Sequence, residues 1–193
     1  MISRVDHVSI AVKDYQKAVD LFQNILGAIP GYTEVASDLK FLWGIFSLGD
    51  LSRIEILNPS EKGGLLDGFL KKKVGGVHHI TLETPDINEA KKTLEAHSIP
   101  YFGYKEFEEY YWKEIYIHPK DAQGVLIQIA EFDPNDWLDK SVKLPEEKKW
   151  SVEKDADGCI LTFAHPGGGK VEHELTQAEI KQMIGELSEL IDS

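Results

Sequence analysis

The sequence contains a single cysteine, Cys159, among its 193 residues. One cysteine excludes an intrachain disulfide and leaves no thiolate cluster for a structural zinc ion, which is typical of a reducing compartment. Long apolar runs are also missing, because no stretch approaches the ~18 consecutive apolar residues of a membrane span. The N-terminal residues Met-Ile-Ser-Arg-Val-Asp-His include no apolar signal-peptide core. We therefore predict a cytoplasmic protein with no membrane partner.

Basic residues are scarce. The 21 lysines and arginines are outnumbered by 33 acidic residues, and the formal net charge is −12. A phosphate backbone is repelled by such a chain, so we expect no nucleic-acid partner. The composition is otherwise ordinary, with 42% hydrophobic and 28% charged residues, and it predicts one globular domain, or one domain with an appendage.

What the sequence does contain is an internal repeat. Residues 5–12, Val-Asp-His-Val-Ser-Ile-Ala-Val, match residues 77–84, Val-His-His-Ile-Thr-Leu-Glu-Thr. The offset between the two histidines, His7 and His79, is 79 − 7 = 72 residues. A fixed offset of this kind indicates two copies of one supersecondary unit.

Each copy predicts one strand, one helix and three further strands. Polarity alternates with a period of two over the matched segments, as in a strand, and Asp14 and Asp86 each stand where the N-cap of a following helix is expected. The further strand candidates are residues 32–35, 41–48 and 52–57 in copy one, and residues 101–104, 111–117 and 124–130 in copy two. The sequence therefore predicts an α+β fold in which two βαβββ modules form one curved mixed sheet with its helices outside.

The repeat also predicts the domain organisation. We expect a first domain over residues 1–132, made of module one (1–58), a linker with a short amphipathic helix (59–75) and module two (76–132). A charged linker follows over residues 133–149, and residues 150–193 form a C-terminal β-hairpin plus helix. Turn residues at Asp157-Gly158 and at 166–169 support the hairpin, and Thr176 is the expected cap of the last helix.

Polar side chains recur on the strand faces that point away from the helices. In the last strand of each module, the alternation that turns isoleucines toward the helices turns Glu55 and Gln128 to the concave side. His7 and His79 lie on the same side of the first strands. Imidazole nitrogen with carboxylate and amide oxygen makes a mixed set that binds Zn, Co, Mn, Ni or Fe, with positions left open for substrate. We therefore predict a site for one divalent metal ion, acting as a Lewis acid, formed by His7, Glu55, His79 and Gln128.

A single histidine on a strand is more often a hydrogen-bonded core residue than a ligand. Its recurrence at an equivalent position favours the ligand role. His78 competes with His79, but the alternation and the repeat both place His78 on the outer face together with Asp6, where we expect a structural role. We expect one aromatic group to form core or pocket wall, namely Phe107, Tyr110, Tyr111, Trp112 and Tyr116.

These residues together resemble the vicinal oxygen chelate superfamily, which includes glyoxalase I, methylmalonyl-CoA epimerase, extradiol dioxygenases and fosfomycin or bleomycin resistance proteins. Within it, the sequence is most similar to methylmalonyl-CoA epimerase. The resemblance spans residues 4–132 and is carried by residues 6–12, 54–59, 69–70 with 75–80, and 118–120 with 124–127.

The resemblance implies an isomerase or lyase that stabilises the enolate of an acyl-CoA or oxo-acid substrate on the metal. We further expect a homodimer. The epimerases carry a glutamate at the position of Gln128, so the carboxylate of this site is expected at Glu55. Their acid/base glutamates include one in a loop of the first module, where this sequence has residues 35–40. The candidates for proton transfer are therefore Glu55, Glu34 and Asp38.

Two other functions fit the same residues. His7, His79 and Glu55 provide the two histidines and one carboxylate of a non-haem Fe(II) dioxygenase, whose turnover would require oxygen and iron. A non-catalytic small-molecule binding protein, such as the resistance proteins of the superfamily, would bind its ligand tightly without turnover.

Overall fold

The computed structural model describes residues 2–49, 51–107, 111–145 and 147–191, so Tyr110 of the aromatic group lies outside the described residues. The chain forms two compact units, Met1–Asp139 and Lys140–Ser193. Within the described ranges, no helix is both long and apolar enough to cross a membrane.

The first unit alternates strands and helices in the order that the repeat predicts. Its described elements are β1 (Arg4–Val12), α1 (Tyr15–Val19), β2 (Ile29–Ala36), β3 (Phe41–Ser47), β4 (Arg53–Pro59), α2 (Asp67–Leu70), β5 (Gly75–Glu83), α3 (Ile87–Ala96), β6 (Phe102–Phe107), β7 (Trp112–Ile117) and β8 (Leu126–Glu131). After α1 the backbone widens into a π-helical segment, Asp20–Ile25.

The eight strands form one mixed sheet in the order β2-β3-β4-β1-β5-β8-β7-β6. In each module the first strand pairs in parallel with the last, β1 with β4 and β5 with β8. The modules meet where β1 and β5 pair antiparallel at the centre of the sheet. The sheet is a curved half-barrel, and the predicted α+β fold of two βαβββ modules is confirmed.

The helices cover the convex side because each buries a short apolar stripe. Asp86 caps α3 by accepting hydrogen bonds from Asn88 N at 2.8 Å and Glu89 N at 3.0 Å. The buried face of α3 then packs on the isoleucines of β7 and β8, in a cluster of Ile87, Ala90, Leu94, Ile115, Ile117 and Ile129. In module one, Asp14 accepts from Lys17 N at 3.0 Å, and Ala18 of α1 packs with Ile56 of β4. The isoleucines of β4 and β8 therefore face the helices, as predicted.

The linker between the modules belongs to the core. Leu66 and Leu70, which flank and end α2, are buried against Ala11 and Leu57. Beyond β8, Trp137 is buried against Ala130 and Phe132. The first compact unit therefore includes Trp137, while the domain boundaries drawn from the sequence stay a prediction.

The second unit is a three-stranded antiparallel sheet and a helix. Its main elements are β9 (Trp150–Lys154), β10 (Gly158–Ala164), β11 (Lys170–Thr176) and α4 (Gln177–Ile191). The two predicted turns separate the strands, so a third strand extends the predicted hairpin. Thr176 caps α4 reciprocally with Glu179, whose Oε2 accepts from Thr176 N at 2.8 Å while Thr176 Oγ1 accepts from Glu179 N at 3.3 Å.

Candidate metal centre

The concave face of the eight-stranded sheet encloses a pocket of about 260 Å³. The four predicted metal ligands line this pocket, and they come from the four central strands, namely His7 on β1, Glu55 on β4, His79 on β5 and Gln128 on β8. All four residues are buried, with at most 9% of their surface exposed. The structure therefore brings together the residues that the alternation and the repeat selected.

The ligand atoms lie close to one another. Glu55 Oε2 is 3.7 Å from His7 Nε2 and 3.6 Å from His79 Nε2. The donor atoms of these three residues all lie within 4.8 Å of one another. Bonds of about 2.1 Å to one ion place its ligand atoms roughly 3 to 3.5 Å apart. A small inward shift of the side chains would therefore satisfy a divalent ion.

Two hydroxyl groups link the ligands in a pattern that follows the repeat. Ser9 donates to Glu55 and lies 2.8 Å from His79 Nε2. Thr81 donates to Gln128 Oε1 at 2.5 Å and lies 2.8 Å from His7 Nε2. Both hydroxyl residues are completely buried, and their positions differ by the repeat offset, 81 − 9 = 72. These contacts hold Nε2 of both imidazoles and Oε1 of Gln128 close to one another.

The other ring nitrogen of each histidine is held by the preceding residue. His7 Nδ1 donates to Asp6 Oδ2 at 2.7 Å, and His79 Nδ1 lies 2.9 Å from His78 Nδ1. Asp6 is itself paired with the guanidinium group of Arg53. Occupation of Nδ1 leaves Nε2 of each ring as the nitrogen that faces the pocket, as in histidines that bind metal ions.

Asp6 was wrongly placed on the outer face. It is 2% exposed and lines the pocket. The reason is that β1 and β5 each contain one extra residue, which shifts the register between these two strands. The extra residues are Asp6 in β1 and His78 in β5, which are equivalent positions of the repeat. A β-bulge of this kind redirects a side chain that simple alternation sends outward. His78 stays half-buried, with its ring 5.1 Å from that of Phe69.

Burial and neighbouring charges perturb the acid–base behaviour of the cluster. Burial raises the pKa of Glu55, against the opposing effect of His7. Burial also lowers the pKa of His79 well below its ordinary value, and nearby His7 and His78 add to this effect. Burial alone would raise the pKa of Asp6, but the hydrogen bond from His7 and the charge of Arg53 outweigh it and keep the pKa low. A neutral His79 has the free lone pair that a metal ligand needs.

The buried charges of the pocket also suit a cation. The positive charge of Arg53 is matched by Asp6. Two further buried carboxylates, Glu55 and Glu114, line the pocket, and neither forms an ion pair with a lysine or arginine in the described parts of the chain. A divalent ion would balance these two carboxylates, which is a second observation in favour of a metal at this point.

The three candidates for proton transfer occupy different places. Glu55 lies within the ligand cluster, and Glu34 on β2 is half-buried in the pocket wall. Asp38 is exposed in the turn between β2 and β3 and is not among the residues that line the pocket. Of the two candidates outside the cluster, Glu34 alone therefore lies in the wall of the site.

Sequence reasoning missed several residues that line the pocket or contact the proposed ligands. Ser9 and Thr81 carry the repeat offset, which was a sufficient signal to find them. Glu114 lies between Trp112 and Tyr116 on the concave face of β7, and all three line the pocket. The aromatic group of the sequence thus contributes pocket wall through Phe107, Trp112 and Tyr116, whereas Tyr111 is exposed. Arg53 and Trp137 also line the pocket and carried no local signal.

Comparison with known proteins identifies relatives of the first unit. Residues 6–113 match the model of the Glyoxalase/Bleomycin resistance protein/Dioxygenase superfamily. The ethylmalonyl-CoA/methylmalonyl-CoA epimerase of Cereibacter sphaeroides is 34% identical over 134 residues, which cover 68% of this chain and 99% of the relative. The crystal structure of methylmalonyl-CoA epimerase from Mycobacterium tuberculosis has a TM-score of 0.62 and 25% identity, covering 67% of this chain and 88% of that one. A variant of the Streptomyces coelicolor methylmalonyl-CoA epimerase, in complex with 2-nitronate-propionyl-CoA, shares the fold with a TM-score of 0.60 at 22% identity, covering 68% and 99% of the two chains.

Proposed function

Since this chain belongs to the Glyoxalase/Bleomycin resistance protein/Dioxygenase superfamily and is a homologue of methylmalonyl-CoA epimerases, which are isomerases, we propose that it epimerises a 2-substituted malonyl-CoA thioester with the help of a divalent metal ion. The observation that carries this proposal is the buried cluster of His7, Glu55 and His79, which is built from both modules. Gln128 completes the proposed ligand set.

The reaction removes the proton at the α-carbon and returns it on the other face. A divalent ion, whether Zn, Co, Mn, Ni or Fe, supplies positive charge beside the thioester and carboxylate oxygens, where negative charge develops. His7, Glu55, His79 and Gln128 would hold this ion. The buried hydroxyls and Asp6 keep the ligand side chains in one orientation, so little rearrangement is needed when an ion binds.

Inversion at the α-carbon requires proton transfer on both of its faces, by groups that accept or donate a proton. The amide of Gln128 cannot serve, since it does not titrate near neutral pH. Glu34 is the best-placed of the predicted candidates, because its carboxylate lies in the pocket wall outside the ligand cluster. We therefore assign the proton transfer on one face of the α-carbon to the carboxylate oxygens of Glu34 rather than to Asp38.

The remaining pocket wall protects a reactive anion from premature protonation by water. Three indole rings line it, those of Trp43, Trp112 and Trp137, and the ring of Trp137 lies 5.4 Å from that of Trp43 and 5.6 Å from that of Trp112. These rings exclude water from the space beside the ligand cluster.

An acyl-CoA substrate is supported by the names of the relatives and by the acyl-CoA analogue bound to a protein of the same fold. The homodimer and the cytoplasmic location stay predictions from the sequence. The epimerase relatives favour this function over the Fe(II) dioxygenase and the non-catalytic binder.

Metal analysis of protein purified without an affinity tag tests the proposal. We expect about one divalent ion per chain in the wild type and almost none in the His7→Ala/His79→Ala variant, because a site of this type needs at least three protein ligands. The metal-loaded wild type should then incorporate deuterium from solvent at the α-carbon of methylmalonyl-CoA or ethylmalonyl-CoA. Absence of metal from the wild type, even after incubation with excess ions, would refute the proposed enzyme.

A further inference from the structure

The amide of Gln128 can bind a metal ion in only one of its two orientations. An amide has one end that accepts hydrogen bonds and one that only donates them, and only the oxygen can bind a cation. A 180° rotation of the terminal amide would present its NH₂ group to the ion. The surroundings of Gln128 must therefore select one of the two orientations if it is to act as a ligand.

The hydrogen bonds of Gln128 make this selection. Its Nε2 donates to Glu114 Oε2 at 2.7 Å and to the hydroxyl of Tyr116 at 2.9 Å. Its Oε1 accepts from Thr81 Oγ1, which also contacts His7 Nε2. Because a carboxylate only accepts hydrogen bonds, the NH₂ group must face Glu114 and the oxygen must face the ligand cluster.

Glu114 is held in place in the pocket wall. It is 9% exposed, and the indole Nε1 of Trp112 donates to the same Oε2 atom at 2.8 Å. In the strand pairing, Tyr116 lies opposite Gln128, which places Glu114 one step along the same concave face. Within the described residues, no lysine or arginine pairs with Glu114, so its charge is directed at the pocket.

Glu114 also changes the charge of the site. The proposed ligands include one carboxylate, Glu55, and the amide at position 128 contributes none. Glu114 adds a second buried carboxylate one hydrogen bond away from the ligand cluster.

We propose that Glu114 is a positioning residue of the metal site, which fixes Gln128 with its oxygen toward the ion and supplies the negative charge that the amide lacks. Glu114 and Gln128 act as one unit, so exchanging the two side chains should preserve the site. This inference rests on the proposed metal site and names the residue outside the ligand set on which its affinity depends.

The test compares Co²⁺ affinity, measured by competition with a chelator, in the wild type and three variants. Glu114→Gln keeps the size of the side chain and removes its charge. The exchange variant Glu114→Gln/Gln128→Glu keeps one amide, one carboxylate and the hydrogen bond between them. Glu89→Gln makes the same charge change on the exposed side of α3 and serves as the control.

We expect Glu114→Gln to weaken Co²⁺ binding about 10- to 100-fold, the usual effect of losing a group that supports a ligand. The exchange variant should return to the wild-type affinity or exceed it, and Glu89→Gln should leave the affinity unchanged. A residue needed only for folding would not be rescued by the exchange. Because the exchange variant preserves volume and hydrogen bonding, it decides the question even where Glu114→Gln alone does not fold.

The contradicting outcomes are distinct. Wild-type affinity in Glu114→Gln, or a loss of affinity in the folded exchange variant as large as in Glu114→Gln, overturns the role of Glu114 and leaves the proposed function intact. Absence of Co²⁺ binding by the wild type overturns the proposed function together with this inference.

Discussion

The two histidines of the candidate metal centre occupy equivalent positions but have different supports. Nδ1 of His7 donates to the carboxylate of Asp6, whereas Nδ1 of His79 contacts the imidazole of His78. A carboxylate partner increases the electron donation of an imidazole to a metal ion, and a neutral ring does so less. The two proposed ligands therefore occupy equivalent positions of the repeat but have different supporting residues.

Substitution of Glu34 tests proton transfer at the level of one residue. Glu34→Gln should lower kcat at least about 100-fold, because loss of a general acid or base costs a factor of 10² to 10⁴. Metal content and KM should change little, since Glu34 lies outside the ligand cluster. The measurement is steady-state epimerisation together with solvent deuterium uptake at the α-carbon.

Asp38→Asn is the matched control for this substitution. It removes one carboxylate from the turn directly after β2, where the side chain is exposed. Its kcat should equal that of the wild type. A large loss in Asp38→Asn with full activity in Glu34→Gln would reverse the assignment.

At the level of the elements, β1 and β5 share a matched pair of β-bulges. Each strand carries its extra residue directly before the ligand histidine, at Asp6 and at His78. An extra residue increases local twist and redirects side chains, and in β1 it turns Asp6 into the pocket wall, whereas His78 of β5 does not line the pocket. The strand that provides a ligand thus also provides the residue that orients it.

Glu131, at the end of β8, connects the sheet to α3. Its Oε2 accepts from Ile87 N at 2.8 Å, and its Oε1 accepts from Lys113 Nζ at 3.0 Å. Burial alone would raise the pKa of Glu131, but the hydrogen bonds from Ile87 and Lys113 outweigh burial and hold the pKa below its ordinary value of 4.5. The ionised carboxylate therefore stabilises the folded state.

Glu131→Gln should lower the free energy of unfolding by about 1.5 kcal/mol near pH 7, the typical contribution of a hydrogen bond to a charged group. Because the folded pKa is the lower one, this contribution is complete above pH 4.5 and is lost as the pH falls through the folded pKa. Urea unfolding of both proteins between pH 7 and pH 3 should show the difference shrinking toward zero. A difference that stays constant over this range would show that the charge of Glu131 does not contribute.

On the scale of the whole molecule, all residues that line the pocket belong to the first compact unit, Met1–Asp139. The two modules contribute equally to its centre, since the four proposed ligands come from the last strand and the first strand of each. Neither module alone could form the site, because two ligands lie on each side of the β1–β5 pairing.

Shortening the chain tests whether the first unit is sufficient. A chain that ends at Asp139 should fold and bind about one divalent ion, since the three or four protein ligands of such a site are all retained. Circular dichroism and metal analysis would measure this. A chain that ends at residue 132 should be less stable, because it lacks Trp137, which is 8% exposed in the full chain. A folded but metal-free 1–139 chain would contradict the expectation.

The sequence alone determined the modules and the four proposed ligands. Alternation along a strand is local geometry, so it places Glu55 and Gln128 on one face wherever the strand lies, and the 72-residue offset makes His7 and His79 equivalent. The same local rules located the caps Asp14, Asp86 and Thr176.

Only the tertiary structure decided the rest of the site. Asp6 enters the pocket because β1 and β5, which are far apart in the chain, pair with shifted registers. Glu114 contacts Gln128 because β7 pairs with β8, and Asp38 itself does not line the pocket although its neighbour Leu39 does. Each of these outcomes depends on which strands become neighbours, and no period within a single segment records that choice.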